Sequence, residues 1–207
     1  MIPVISPAFF KNDSLIQYLV KSAERHGIDL RLYGMGETYK GWIDTHITRA
    51  LQAVSALDSE LVMFVDAADV IFLAGPEEIE RHYRRQDADI VMAKEHSGLN
   101  FGGWVGRRDV ALSMLSRLAE FMPEEGDPQV RMRQYHASCY SGVVPDEGWI
   151  FNVESPYSRL KCVNGRITDL WDTRQPCVIH FAGGYFSPTE GRYERMKPYW
   201  EGLGYGI

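Results

Sequence analysis

Asp66 and Asp69 stand in the stretch Leu61-Val62-Met63-Phe64-Val65-Asp66-Ala67-Ala68-Asp69-Val70-Ile71-Phe72. Two carboxylates this close repel unless a proton or a cation lies between them. A divalent cation with oxygen ligands answers that repulsion and in turn holds phosphates. His180 follows a late apolar run, Val178-Ile179, and precedes Phe181-Ala182-Gly183-Gly184. A neutral imidazole is a common metal ligand. An Asp66/Asp69/His180 set of mixed oxygen and nitrogen donors suits Mn²⁺, with Mg²⁺ as the alternative. Asn100 and the glycines Gly102 and Gly103 form a third candidate segment. Backbone without side chains admits a ligand closely, and the Asn100 amide both donates and accepts. Taken alone, Asn100-Phe101-Gly102-Gly103 is equally a tight turn with a capping asparagine, a lone D-x-x-D is equally a cap plus a solvated acid, and a lone His180 is a structural histidine. Their combination is what points to chemistry.

These residues need a frame. The five apolar residues before Asp66 predict a strand buried on both faces, with the acids at its carboxyl end, where open α/β sheets bind ligands. Val4 to Ala8 and Ile28 to Tyr33 predict further strands, and Leu15 to His26 a helix capped by Gly27, with Asn12-Asp13-Ser14 as its N-terminal cap. Thr45 to Leu57 predicts a helix. Another starts at Gly75-Pro76-Glu77-Glu78, followed by a strand from Ala88 to Ala93 and a helix from Arg108 to Phe121. Strand and helix alternate through the first half, so the fold class is α/β, a mostly parallel central sheet with helices on both faces. The later part is less regular. Asn164-Gly165 predicts a hairpin, and Pro176 to Phe181 a late strand.

At 207 residues the chain suits one domain, with a regular half over about 1–106 and a less regular half over about 107–207. The net charge of −6 gives no basic face for nucleic acid. No apolar run approaches the roughly 20 residues that span a bilayer. The N-terminus lacks a basic segment followed by a long apolar one, so a cytoplasmic location is expected. Cys139, Cys162 and Cys177, without C-x-x-C spacing, are expected to be reduced thiols.

In this order, Phe64-Val65-Asp66-Ala67-Ala68-Asp69-Val70-Ile71-Phe72, Ala93-Lys94-Glu95, Leu99-Asn100-Phe101-Gly102-Gly103-Trp104-Val105-Gly106 and Val178-Ile179-His180-Phe181-Ala182-Gly183 resemble the glycosyltransferase domain of the procollagen lysyl hydroxylase/glycosyltransferase family. The resemblance runs from about Val4 to Gly184. It implies a GT-A fold on one continuous sheet, with a nucleotide-sugar half over about 1–106 and an acceptor half over about 107–207, and Mn²⁺ held by Asp66, Asp69 and His180 on the diphosphate of a UDP-sugar. It further implies that Asn100, Gly102, Gly103 and Gly183 line the donor, that Ser6 lies near the nucleotide, and that Asp127 and Gln129 face the sugars as catalytic residues. The chain departs from the family pattern at Ala68, where an aromatic is frequent, at Pro128, at Ala182, and at Phe186, where a lysine is expected. Ile179-His180-Phe181-Ala182-Gly183 with Met196-Lys197-Pro198-Tyr199-Trp200 more weakly resembles the ending of glycogenin-like transferases, which makes Lys197 a candidate for the missing charge.

The expected activity is metal-dependent transfer of a sugar from a nucleoside-diphosphate sugar to an acceptor hydroxyl of unread identity. With Asp66 and Asp69 on the metal, Asp127 or Glu147 is the candidate base in an inverting reaction. The late aromatics, from Trp149 to Trp200, are a candidate acceptor platform. Two rivals use the same residues: another metal-dependent phosphate-processing enzyme, and a non-catalytic nucleotide-sugar-binding protein.

Overall fold

The computed structural model describes residues 1–9, 16–41, 43–95, 98–121, 142–153, 160–169, 174–182 and 190–205. A six-stranded sheet runs in the order β2-β1-β3-β6-β5-β7. Its strands are β1 (Pro3–Pro7), β2 (Asp29–Tyr33), β3 (Leu61–Val65), β5 (Ile90–Glu95), β6 (Gly98–Arg107) and β7 (Val143–Pro145). Three of its five pairings are parallel, β1 with β2, β1 with β3 and β5 with β7. Only β6, wedged between β3 and β5, runs antiparallel to its neighbours.

All five residues of β3 are buried. The side-chain period of two sends them alternately to two cores. Leu61, Met63 and Val65 join α1 (Gln17–Arg25) and α3 (Pro76–Arg84) on one face. Val62 and Phe64 join α2 (Arg49–Ser55) and α4 (Arg108–Phe121) on the other. Helices therefore cover both faces, as the strand–helix alternation predicts. On the α2/α4 side Phe64 stacks on Trp104 with ring centroids 5.6 Å apart, a pair worth ~1 kcal/mol beyond its buried area. Arg108 ties this layer together by donating to the carbonyls of Val54 and Ser55 at 3.1 and 2.9 Å at the end of α2, where Val54 also accepts the Leu57 N–H at 3.2 Å.

Three details differ from the sequence expectations. Asn100 to Gly106 is no turn: it is the middle of a ten-residue central strand. Its glycines are there for packing, since a Cβ at Gly106 would lie 2.6 Å from the Asp89 carbonyl oxygen and one at Gly103 would lie 2.9 Å from the Phe151 ring. The helix expected from Thr45 opens instead as a π-helix, Ile43–Thr48, before α2 begins. The sheet is not continuous among the described residues. A separate three-stranded sheet, β4 (Val70–Phe72), β11 (Val178–His180) and β8 (Phe151–Val153), places β11 antiparallel to β4 and parallel to β8. The expected side-chain cap of α1 at Asn12-Asp13-Ser14 falls outside the described residues; the helix follows Ile16, which makes no side-chain cap bond.

The predicted hairpin forms from β9 (Leu160–Val163) and β10 (Arg166–Asp169). Asn164 and Gly165 have φ of 51° and 73°, the left-handed pair that matches strand twist in a two-residue turn. A third core of Tyr18, Ile71, Ile179, Phe181, Met196 and Trp200 joins the small sheet to α1 and to the last helix, α5 (Glu190–Gly202). No helix among the described residues is long and apolar enough to cross a membrane.

Candidate metal and nucleotide-sugar site

Asp66 is the first residue beyond β3. Its N–H donates to the Gly102 carbonyl at 2.9 Å, so β6 continues to hold the chain where the strand stops. Three residues on, the Asp69 carbonyl accepts the Phe181 N–H at 2.8 Å, and Val70 pairs with His180 across β4 and β11. The short acid-bearing loop is thus clamped by β6 on one side and β11 on the other.

These clamps bring the three expected ligands together. His180 Nε2 lies 3.3 Å from Asp66 Oδ2 and 3.4 Å from Asp69 Oδ1. One ligand atom from each residue lies within 4.8 Å of the others, a spacing one metal ion can bridge. The Asp69 and His180 side chains are almost sealed, at 4% and 3% exposure, whereas Asp66 keeps 31%. A ligand therefore approaches from the Asp66 side. Burial by itself would lower the His180 pKa. The Asp69 charge, with hydrogen bonds to both carboxylates, outweighs it and pushes the imidazole up to about 10. In the metal-free protein a proton on Nε2 does what a cation would do between the two acids. Nδ1 has no hydrogen-bond partner among the described residues, and Nε2 is the nitrogen that faces both carboxylates.

Gly102 makes this approach possible. A Cβ there would lie 2.2 Å from His180 Cε1 and 2.4 Å from Asp66 Oδ2. Asn100 sits one turn of the pleat away, buried, with its amide turned to protein. Its Oδ1 accepts the Gly102 N–H at 2.7 Å and its Nδ2 donates to Glu95 Oε2 at 3.2 Å. Gly103 faces the other way, onto Phe151.

A cavity of about 320 Å³ opens at the acids and is lined by Pro7, Phe9, Tyr39, His46, Asp66, Ala67, Ala68 and Asp69. Ser6, buried beside Pro7, has a hydroxyl without a hydrogen-bond partner among the described residues. Phe9 and Tyr39 make part of this wall aromatic. Phe9 meets Tyr33 edge-on at 6.1 Å and Tyr39 at 6.5 Å, and Tyr39 meets His46 at 5.9 Å. Burial, then the Asp66 charge, raises the phenol pKa of both Tyr33 and Tyr39. Sequence reasoning missed this wall. Its one local signal is Gly34, whose φ of 81° and lack of a Cβ allow the Phe9 ring to lie against it.

Other expected residues lie elsewhere. Lys197 is exposed on α5, 4.0 Å from Glu201, while Arg195 donates to the Ala182 carbonyl at 3.4 Å. Glu147 is exposed, 3.8 Å from Lys94. Of the late aromatics, Phe181 and Trp200 are core residues, and half-exposed Trp149 is stacked on His82 at 5.2 Å with Arg174 over its ring. Cys162 and Cys177 are free thiols. Asp127, Gln129, Gly183, Phe186 and Cys139 fall outside the described residues.

An acid pair and an imidazole lie together at the end of a Rossmann-like sheet, beside a cavity partly lined by aromatic residues, in a fold of the GT-A glycosyltransferase class. Residues 2–100, just under half of the chain, match the family model of the PLOD GT domain, so the resemblance to that family holds over this stretch. No curated protein matches the chain in sequence. Among solved structures it is similar to a glycosyltransferase involved in the glycosylation of the major capsid of PBCV-1, with a TM-score of 0.64 at 14% identity over 95% of this chain and 98% of that one. It is also similar to the glycosyltransferase GlyE of Streptococcus pneumoniae TIGR4, with a TM-score of 0.55 at 12% identity over 98% of this chain; the chain spans 60% of that protein. Family match and shared fold make this a glycosyltransferase domain.

Proposed function

We propose that the chain moves a sugar from a UDP-sugar to an acceptor hydroxyl, with Asp66, Asp69 and His180 holding Mn²⁺. The observation that carries this reading is the convergence of those three side chains beside a cavity lined by Asp66 and Asp69 together with Phe9 and Tyr39. The donor set fits a divalent cation: two carboxylates and one imidazole nitrogen, with Gly102 leaving the space free. When bound, the cation would offset the negative charge that grows on a departing diphosphate.

The chain's own residues would do the rest. Asp66 and Asp69, committed to the ion, are unavailable as a base. Asn100 would fix the Gly102 backbone, and through it the position of Asp66. Phe9 and Tyr39 offer flat faces to a nucleobase, a role that Ala68 cannot fill. Ser6, beside Pro7, would lie near the nucleotide. Asp127 and Gln129 are proposed to face the sugars, and Gly183 the donor. The acceptor is an oxygen nucleophile that the protein orients against the anomeric carbon.

Thermal unfolding with nucleoside diphosphates tests the reading. UDP with Mn²⁺ at a hundred times its dissociation constant should stabilise the fold by ~2.7 kcal/mol. UDP alone should do little, and Asp69→Ala should remove the gain. A shift that ignores the metal, or one equal for every nucleotide, would refute the proposal.

A further inference from the structure

We propose that Arg195 carries the second positive charge for the donor, its guanidinium turning from the Ala182 carbonyl to bind the diphosphate. This rests on the donor reading above and assigns a binding residue within it.

The charges at the site call for such a group. A sugar-linked diphosphate carries two negative charges and gains a third as it leaves. A divalent ion between Asp66 and Asp69 is already matched by their two carboxylates. Ion, acids and diphosphate together would stay strongly negative beside the sealed side chains of Asp69 and His180, where unbalanced charge is costly. Arginine and lysine clamps commonly supply the balance at a departing phosphoryl group.

A chain of contacts leads from the acids to Arg195. The Asp69 carbonyl accepts the Phe181 N–H at 2.8 Å. Ala182 is the next residue, and one residue spans at most ~3.6 Å. Both terminal nitrogens of Arg195 donate to the Ala182 carbonyl at 3.4 Å. The guanidinium thus stands beside the segment that joins the His180 strand to the acid loop.

Helix α5 fixes it there. Met196 and Trp200 are buried in the third core. Tyr199, four residues beyond Arg195 and on the same helix face, meets the Phe181 ring at 5.3 Å. That face of α5 therefore lies along Phe181 and Ala182. Lys197 does not share it; that side chain is exposed and 4.0 Å from Glu201. The two Arg195 bonds are long for N–H···O contacts, so little is lost when they are exchanged. A phosphate offers the guanidinium a charged, forked partner in place of a neutral carbonyl.

The test is calorimetric titration of the Mn²⁺-loaded protein with UDP, alongside titration of the nucleotide-free protein with Mn²⁺. Arg195→Gln, which retains N–H donors without the charge, should bind UDP about tenfold more weakly, the scale of a hydrogen bond between charged groups. Arg195→Ala provides a second uncharged variant and should lose at least as much. Arg195→Lys keeps the charge and should stay within about threefold of the wild type. Mn²⁺ affinity without nucleotide should match the wild type in all three, because Arg195 acts on the diphosphate rather than through His180. Circular dichroism confirms that each variant is folded. Wild-type UDP affinity in the uncharged variants, equal losses in the Gln and Lys variants, or a parallel loss of Mn²⁺ affinity overturns the assignment while leaving the donor reading in place. Failure of the wild type to bind UDP with Mn²⁺ overturns both.

Discussion

The Gly102 carbonyl holds the Asp66 amide at 2.9 Å, while the bare Cα of Gly102 faces the Asp66 carboxylate and the His180 ring. One residue thus fixes a candidate ligand through its backbone and leaves the candidate ion position clear by lacking a side chain. Gly102→Ala should therefore lower Mn²⁺ affinity by about 10–100-fold, as loss of support around metal ligands commonly does. Calorimetric titration with Mn²⁺ checks this, with circular dichroism to confirm that the variant is folded. Wild-type affinity in a folded variant would show that the ion, if bound, sits elsewhere.

Asn100 supports Gly102 in turn. In Asn100→Ala the buried Gly102 N–H loses its acceptor and Glu95 loses a donor, which should cost ~1–3 kcal/mol. Urea unfolding measures the loss. Asn100→Asp keeps an acceptor for Gly102 but sets a second carboxylate against Glu95, so it should restore little of that stability.

On the proposed reading, proton and metal would compete at His180. With its imidazole pushed up to about 10, ion binding must expel a proton at neutral pH. Mn²⁺ affinity should accordingly rise about tenfold per pH unit from pH 6.5 to 9, a slope that titrations in buffers of different ionisation enthalpy would confirm through the proton released.

The same shift gives the metal-free protein a pH-dependent stability of opposite sense. The folded imidazole holds its proton more tightly than the unfolded one, whose ordinary value is about 6.5. Its contribution is complete below pH 6.5 and fades as the pH climbs through about 10. Melting temperatures of chelator-treated protein should fall across that window, and those of His180→Gln should fall less steeply.

Gly34 offers a separate handle on the cavity wall. A Cβ at this position would lie 2.4 Å from the Phe9 ring, and its φ of 81° disfavours any side chain. Gly34→Ala should displace Phe9 and weaken UDP binding while leaving Mn²⁺ binding intact. Titration of both ligands against the variant separates the two effects.

The acid-bearing strand end was legible because five apolar residues and then Asp66 have few other solutions in an α/β chain. His180 was legible for the same reason, at the end of a short buried strand. Strand β6 was not, because Gly102, Gly103 and Gly106 imitate a turn. Their meaning lies in distant neighbours, His180, Phe151 and Ile90, that local sequence does not reveal. The cavity wall escaped notice for a similar reason: Phe9, Tyr39 and His46 come from three segments and meet only after folding. The π-helix follows an ordinary apolar helical period, so nothing local marks its wider first turn.

The pairing of Val70 with His180 carries a consequence for biosynthesis. A nascent chain that has emerged only through β6 already contains the whole family-matched stretch and both acids, yet it lacks the imidazole. On the proposed reading, ion capture would then wait for β11, which is translated well after both acids. Loading would be a checkpoint in maturation, passed only by molecules in which β11 has reached its place beside β4.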